Sequence, residues 1–128
     1  MPIEDFIPSQ INWLAEFTII GEAQAKGNSR RLVKRGNRTI SIKGEKALSF
    51  VDAVKWQAPL LTPLPECDLI VAMEIFYVDL RHDLDGSLVL DALAGRCLKN
   101  DRQVKELHQY HALDRKNPRV VVKIAAKN

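Results

Sequence analysis

Leu69-Ile70-Val71-Ala72-Met73-Glu74-Ile75-Phe76-Tyr77-Val78 is apolar or aromatic at every position but Glu74, and it runs straight into Asp79-Leu80-Arg81-His82-Asp83-Leu84-Asp85-Gly86. Such a run reads as a central strand covered on both faces, because a strand wet on one side alternates apolar with polar. The change to charged residues marks its exit. Ser87 or Asp85 can then cap a helix whose apolar positions include Leu88, Leu90, Ala92, Leu93 and Cys97, a helix expected to run to about Leu98. Strand, charged loop and helix form the unit around which the remaining elements are placed.

Upstream, Glu16-Phe17-Thr18-Ile19-Ile20-Gly21 reads as the first strand, so residues 1–15 form an N-terminal leader packing through Phe6, Ile7 and Ile11. A basic loop follows, with Thr39-Ile40-Ser41-Ile42 as a short strand. Between Glu45 and Gln57 the residues Ala47, Leu48, Val51, Val54 and Trp56 recur at helical spacing until Pro59 stops them. Ala58 to Pro65 is a stiff, proline-rich connector. Downstream, Val104 to Ala112 and Arg119 to Ala125 read as two strands paired through a turn at Asp114 to Pro118. The expectation is an α+β fold: one small domain, residues 16–128, with a mixed sheet and two main helices.

The 128 residues are enough for one core and too few for a two-domain enzyme. A hydrophobic share of 46%, a charged share of 27% and a mean hydropathy of -0.16 are those of a globular chain that is neither disordered nor membranous. No apolar run reaches membrane-spanning length, and the acidic start Met1-Pro2-Ile3-Glu4-Asp5 lacks a signal peptide's basic flank, so the expected location is the cytoplasm. Cys67 and Cys97 have no metal-binding spacing and read as buried free thiols. The net charge is only +3. Its distribution is more telling: Lys26, Arg30, Arg31, Lys34, Arg35, Arg38, Lys43 and Lys46 stand against Glu45 alone, and the rest of the chain is net acidic. A basic segment of this density fits either a polyanion-binding surface or a solvated charged hairpin.

Asp83 and Asp85 sit two apart where the strand gives way to the helix. In extended backbone both carboxylates project to one side while Leu84 turns inward. Two close like charges call for a cation, and hard oxygen ligands suit Mg²⁺ or Mn²⁺. The competing reading is a helix cap with an incidental acidic neighbour. Asp101, in Asn100-Asp101-Arg102-Gln103-Val104, begins the next strand and can return beside the first pair if the loop at 99–102 folds back. Asp91, within the helix, reads as a dipole partner or a local salt bridge.

Arg81-His82-Asp83-Leu84-Asp85, then Leu90-Asp91-Ala92-Leu93, then Asn100-Asp101-Arg102-Gln103-Val104 resemble the signature of the RusA family of Holliday-junction resolvases. Gly21, Lys26, Arg30 and Arg31 are similar to that family's opening. The resemblance implies a homodimer that binds four-way DNA junctions and nicks opposed strands with Mg²⁺ held by Asp83, Asp85 and Asp101, gathered at one end of the sheet. It also implies a bacterial or phage setting, with Lys26, Arg30, Arg31, Arg81 and Lys99 on the DNA. The chain departs from the pattern in having Gly86 where the family has Asn, Val89 where it has a helix lysine, and two fewer residues before Asp91. Loss of that lysine would slow cleavage and spare binding, leaving a protein that binds branched DNA without cutting it. Lys99 and Lys26 are the candidates to replace its charge. A single-stranded RNA-binding module is a further alternative.

Other residues carry less. His108 and His111 point to opposite faces of a strand and cannot share a metal, and His82 reads as a variable exposed position. Trp13 and Trp56 read as core or dimer-contact residues. Lys34, Arg35 and Arg38 read as solubilising.

Overall fold

The computed structural model describes residues 13–26, 30–36 and 38–127, with the backbone alone for 30–35 and 38–43. In chain order the elements are β1 (Trp13–Ile20), β2 (Arg30–Arg35), β3 (Arg38–Lys43), α1 (Glu45–Gln57), β4 (Leu69–Tyr77), α2 (Ser87–Leu93), a single 3-10 turn (Asp101–Gln103), β5 (Val104–Leu113) and β6 (Arg119–Ala126). This is a small α+β domain with a mixed sheet and two helices. Strand β1 begins at Trp13, inside the stretch assigned to the leader, and pairs with β6 from there on.

The main sheet has four strands in the order β1-β6-β4-β5. Strand β4 is interior, antiparallel to β6 and parallel to β5. Its alternate residues Leu69, Val71, Met73, Ile75 and Tyr77 are buried, and they join Val120, Val122 and Ile124 of β6 with Phe50, Val54, Leu88 and Leu93 of the helices in one core. On the other face Ala72 is buried while Ile70, Glu74 and Phe76 are half-buried, so the cover expected on both faces is complete on one only. The expected hairpin of β5 with β6 is also corrected. Both strands pair with β4, which lies between them. The most apolar strand gains most from having a neighbour on each edge, and that outweighs the short connection. The connection is instead organised by Asp114, whose amide donates to the Tyr77 carbonyl (2.8 Å) and whose carboxylate accepts from the Arg119 guanidinium (2.8 Å).

The basic segment is a two-stranded hairpin rather than a loop, paired from Arg30 with Lys43 to Arg35 with Arg38. Gly36 turns it with φ 61°, a left-handed conformation that glycine adopts without steric cost. In α1 the buried stripe is Ala47, Phe50, Val51 and Val54. Leu48 and Trp56, read as part of that stripe, lie off it and are 48% and 86% exposed.

Helix α2 is shorter than expected and ends at Leu93. The backbone turns extended at Ala94 (ψ 127°), Gly95 follows at φ 88°, and Cys97 and Leu98 are buried from the turn that follows. That turn also clamps the proline-rich connector, because the Leu61 amide donates to the Arg96 carbonyl (2.8 Å) and Arg96 Nη2 donates to the Ala58 carbonyl (2.8 Å). Among the described residues no helix is long and apolar enough to cross a membrane.

Of the two thiols expected to be buried, Cys97 is buried and Cys67 is exposed. Burial pushes the Cys97 thiol up to about 11, which leaves it protonated and unreactive at neutral pH. Iodoacetamide should therefore label Cys67 alone in the native protein and both cysteines in denaturant, as counted by mass spectrometry. Labelling of Cys97 at the Cys67 rate without denaturant would contradict this packing.

Candidate active site

Parallel pairing sets Leu69 opposite Val104 and Tyr77 opposite Leu113. Asp83 and Asp85 follow Tyr77, whereas Asp101 precedes Val104, so register alone sends them toward opposite ends of β4. The expectation that all three gather at one end of the sheet is corrected accordingly. Residues 78–86 nonetheless double back to the middle of the strands and carry Asp85 with them. The Gly86 amide donates to Gln109 Oε1 (2.7 Å), and Gln109 stands opposite Met73, halfway along β4. A Cβ there would lie 2.2 Å from Met73 Sδ and 2.8 Å from Gln109 Oε1, so any residue but glycine, Asn included, obliges the ends of both side chains to shift. The seven residues of α2 then span about 10 Å at helical rise, so the return to Asp101 is shorter than a helix to Leu98 would require.

Asp85 is the best-held acid. Its Oδ1 accepts from the Ser87 amide (2.9 Å) and its Oδ2 from the Lys26 amide (3.1 Å). Partial burial pushes its carboxyl up, but the Ser87 hydrogen bonds, the Lys26 amide and the Lys26 ammonium outweigh this and hold it below the usual aspartate value. The Asp85 amide donates to the Tyr77 hydroxyl (3.2 Å), which itself donates to the Asp83 carbonyl (3.1 Å). Burial raises the Tyr77 pKa, and the charges of Asp85 and Asp83 raise it further, so the group remains a hydroxyl. Leu84, expected to turn inward, is 40% exposed. Burial of that leucine does not hold the loop.

Lys26 comes from the far side of the sequence. Its ammonium lies 2.9 Å from the Asp91 carboxylate, and its pKa is raised by Asp91 first and then, against some desolvation, by Asp101 and Asp85. Asp91 thus forms a salt bridge, though one spanning 65 residues of chain rather than a local one. Asp101 is carried by a turn with its own fastening: Asn100 Oδ1 accepts from the Arg102 amide (2.9 Å), while Gln103 accepts from the Lys99 amide (2.7 Å) and donates to the Pro65 (2.9 Å) and Cys67 (3.0 Å) carbonyls. Asp85 therefore belongs to two neighbourhoods, one with Lys26, Asp91 and Asp101, the other with Tyr77 and Asp83.

The other candidates separate. Val89 is 1% exposed, so no charged side chain fits at that position. Of the two lysines considered as replacements, Lys99 pairs with Glu66, whereas Lys26 pairs with Asp91 and so stands beside the acids. Arg81 is an exposed side chain paired with Asp79 (3.0 Å). Arg30 and Arg31 lie on β2, and their side chains fall outside the described residues. His82 is half-buried rather than freely exposed, its ring stacked on Tyr77 at 5.2 Å and 8°. His111 also meets Tyr77 (4.6 Å), whereas His108 pairs with Glu106 (3.0 Å) on the opposite face of β5, as expected.

Among the described residues no group of three or more His, Cys, Asp or Glu side chains is drawn into a metal-ligand set. The donor chemistry nonetheless fits a hard divalent ion, because each Asp85 oxygen accepts one of these amides and retains a lone pair, and Asp83 and Asp101 are exposed carboxylates. Tyr77 and Gln109 organise this site without any role readable from the sequence, where their one signal was position, at a strand end and opposite Met73; Gln103 stands in the Asn100–Val104 segment of the resemblance, and the structure gives it a fastening role. No family model and no curated protein matches the chain.

Gly86→Ala should destabilise the fold by about 1–3 kcal/mol in urea denaturation, the usual result of forcing a methyl into a filled space; an unchanged midpoint would contradict the close approach to Met73. The electrostatics predict a pH window. Asp85, with its folded pKa depressed, contributes stability that is full above the ordinary aspartate value and lost as pH falls through the lower folded one. Lys26, raised from 10.5, contributes stability that is full below that value and lost as pH rises through the higher folded one. Carbon-detected NMR titration should find both shifts, in those directions, in the native protein.

Proposed function

We propose that the chain is a divalent-metal-dependent endonuclease of the RusA type that resolves four-way DNA junctions as a homodimer. The observation that carries this reading is the fastening of Lys26 to the acidic segment far along the chain, its ammonium on Asp91 and its amide on Asp85, residues whose types match the two halves of the resemblance. A site built only as a helix cap has no need of Lys26.

Asp83, Asp85 and Asp101 would hold Mg²⁺ or Mn²⁺. Such an ion supplies Lewis acidity, lowering the pKa of the attacking water and stabilising charge on the phosphate and the leaving oxygen. The chain's own residues do the rest. Ser87 and Lys26 orient the Asp85 carboxylate through their amides. Asp91 holds the Lys26 ammonium beside the acids, where positive charge favours an approaching phosphate. The hairpin with Arg30 and Arg31, together with exposed Arg81, supplies cations for flanking phosphates. Two copies related by a two-fold axis would present paired sites, and a branched substrate can place a scissile phosphate in each.

A second reading has its own observation. Val89 is buried, and Lys26 is committed to Asp91, so the charge that a helix lysine would bring to the leaving group is absent from the helix. A branched-DNA binder that cuts slowly or not at all fits that arrangement.

A synthetic four-way junction separates the two. With Mg²⁺ the unmodified protein should introduce opposed nicks, and Asp83→Asn should abolish cutting while keeping the gel shift. If the dimer neutralises about 6–10 phosphates, affinity should fall about 10³–10⁵-fold from 50 to 200 mM salt. Binding without any cutting by the unmodified protein would favour the binder, and preference for single strands would overturn both readings.

A further inference from the structure

We infer that Tyr77 is the positioning residue of the acidic loop, its hydroxyl bridging the Asp83 carbonyl and the Asp85 amide so that the two carboxylates keep one relative orientation. The functional meaning of this bridge rests on the nuclease reading above, whereas the bridge itself is a matter of geometry.

Three facts lead to it. First, the loop lacks the anchor that its sequence promises, because Leu84, between the two acids, is 40% exposed. Apolar burial therefore does not decide how the Asp83-Leu84-Asp85 segment is turned. Second, a phenol is suited to bridging, with one O–H to give and lone pairs to receive, on a ring that turns about few bonds. Tyr77 uses both, donating to the residue that carries the first carboxylate and accepting from the residue that carries the second. Third, the hydroxyl sits on a fixed base. Tyr77 is 2% exposed at the end of the central strand, and its carbonyl accepts from the Asp114 amide (2.8 Å). The rings of His82 and His111 lie against it at 5.2 and 4.6 Å, and His111 Nε2 is 3.2 Å from the His82 carbonyl oxygen.

The loop is consequently tied to the sheet at three points: His82 through its ring and carbonyl, Asp83 and Asp85 through the phenol, and Gly86 through Gln109. Of these the phenol alone acts on both acids. With the hydroxyl removed, the Asp83 carbonyl and Asp85 amide turn to water, and the intervening peptides are free to rotate the carboxylates apart. Tyr77 touches no substrate in this scheme. It acts through the acids and is a positioning residue, not a catalytic one.

Tyr77→Phe in the full chain tests this, because it keeps the ring and its histidine contacts and deletes the hydroxyl alone. Measured by NMR, the Asp85 amide should exchange about tenfold faster in the variant, the size expected for one lost hydrogen bond. Mn²⁺ affinity by calorimetry should fall by a similar factor. Junction cleavage should lose about tenfold in kcat with KM and gel-shift affinity unchanged, a split that general loosening of the fold would not produce. Leu84→Ala should match the unmodified protein in all three measurements. Wild-type amide exchange and Mn²⁺ affinity in Tyr77→Phe would overturn the inference. If the unmodified protein neither binds Mn²⁺ nor cuts, the nuclease reading falls on its own, and the exchange rate of the Asp85 amide still decides whether Tyr77 bridges the loop.

Discussion

Parallel pairing of β5 with β4 is the constraint on which the acidic site depends. Two parallel strands cannot be joined by a tight turn, so the chain must leave the end of one and return to the start of the other through a long crossover. That crossover contains every acid of interest, and its two ends start far apart. Seating it on the core brings Asp85 and Asp91 within reach of Lys26. Helix α2 is seven residues long, well below the length at which an isolated helix persists in water, so its stability comes from burying Leu88, Val89, Ala92 and Leu93. The three larger ones, Leu88, Val89 and Leu93, each contribute about 1.5–3 kcal/mol on the usual area scale, an upper estimate for a chain that is partly collapsed before folding. Gly86 eases this seating, since a larger residue would have to displace the ends of the Met73 and Gln109 side chains.

The same packing sets the electrostatics. With Val89 inside the core, α2 turns Asp91 outward and leaves the helix without a cation near the acids. Lys26, at the end of the segment that follows β1, fills that place. It is fastened twice, by its ammonium to Asp91 and by its amide to Asp85. A lysine so placed adds to the Ser87 hydrogen bonds in lowering the Asp85 pKa and keeps positive charge among the acids. Its ion pair is exposed, so its value lies in orientation and local field more than in stability.

Much of the fold was legible in the residues. The unbroken apolar run of β4 named the central strand, the spacing of Ala47, Val51 and Val54 named α1, and Gly and Pro marked the breaks. Local pattern does not encode several of the choices that the fold makes. Strands β5 and β6 are each well formed by composition, but which neighbour each takes depends on how much apolar edge β4 offers to both. Trp56 has the right hydrophobicity for the α1 stripe and the wrong angle about the axis. Leu84 alternates correctly with its acidic neighbours, yet the loop is not a strand. Cys97 and Leu98 continue the apolar pattern of α2 after the chain has already left the helix at Ala94.

By itself the sequence determined the chemistry available: which side chains carry negative charge, which carry positive, and that the acids flank a buried strand and a helix. Those properties follow from residue type and from periodicities of two and three to four, which act over a few neighbours. Only the tertiary structure decided which of these groups meet. Lys26 rather than Lys99 stands by the acids, Tyr77 rather than Leu84 holds their loop, and Asp85 links the two neighbourhoods. Such pairings join residues separated by 59 and 8 positions, and they exist because a crossover docked on a parallel pair shortens distances that the chain alone leaves open.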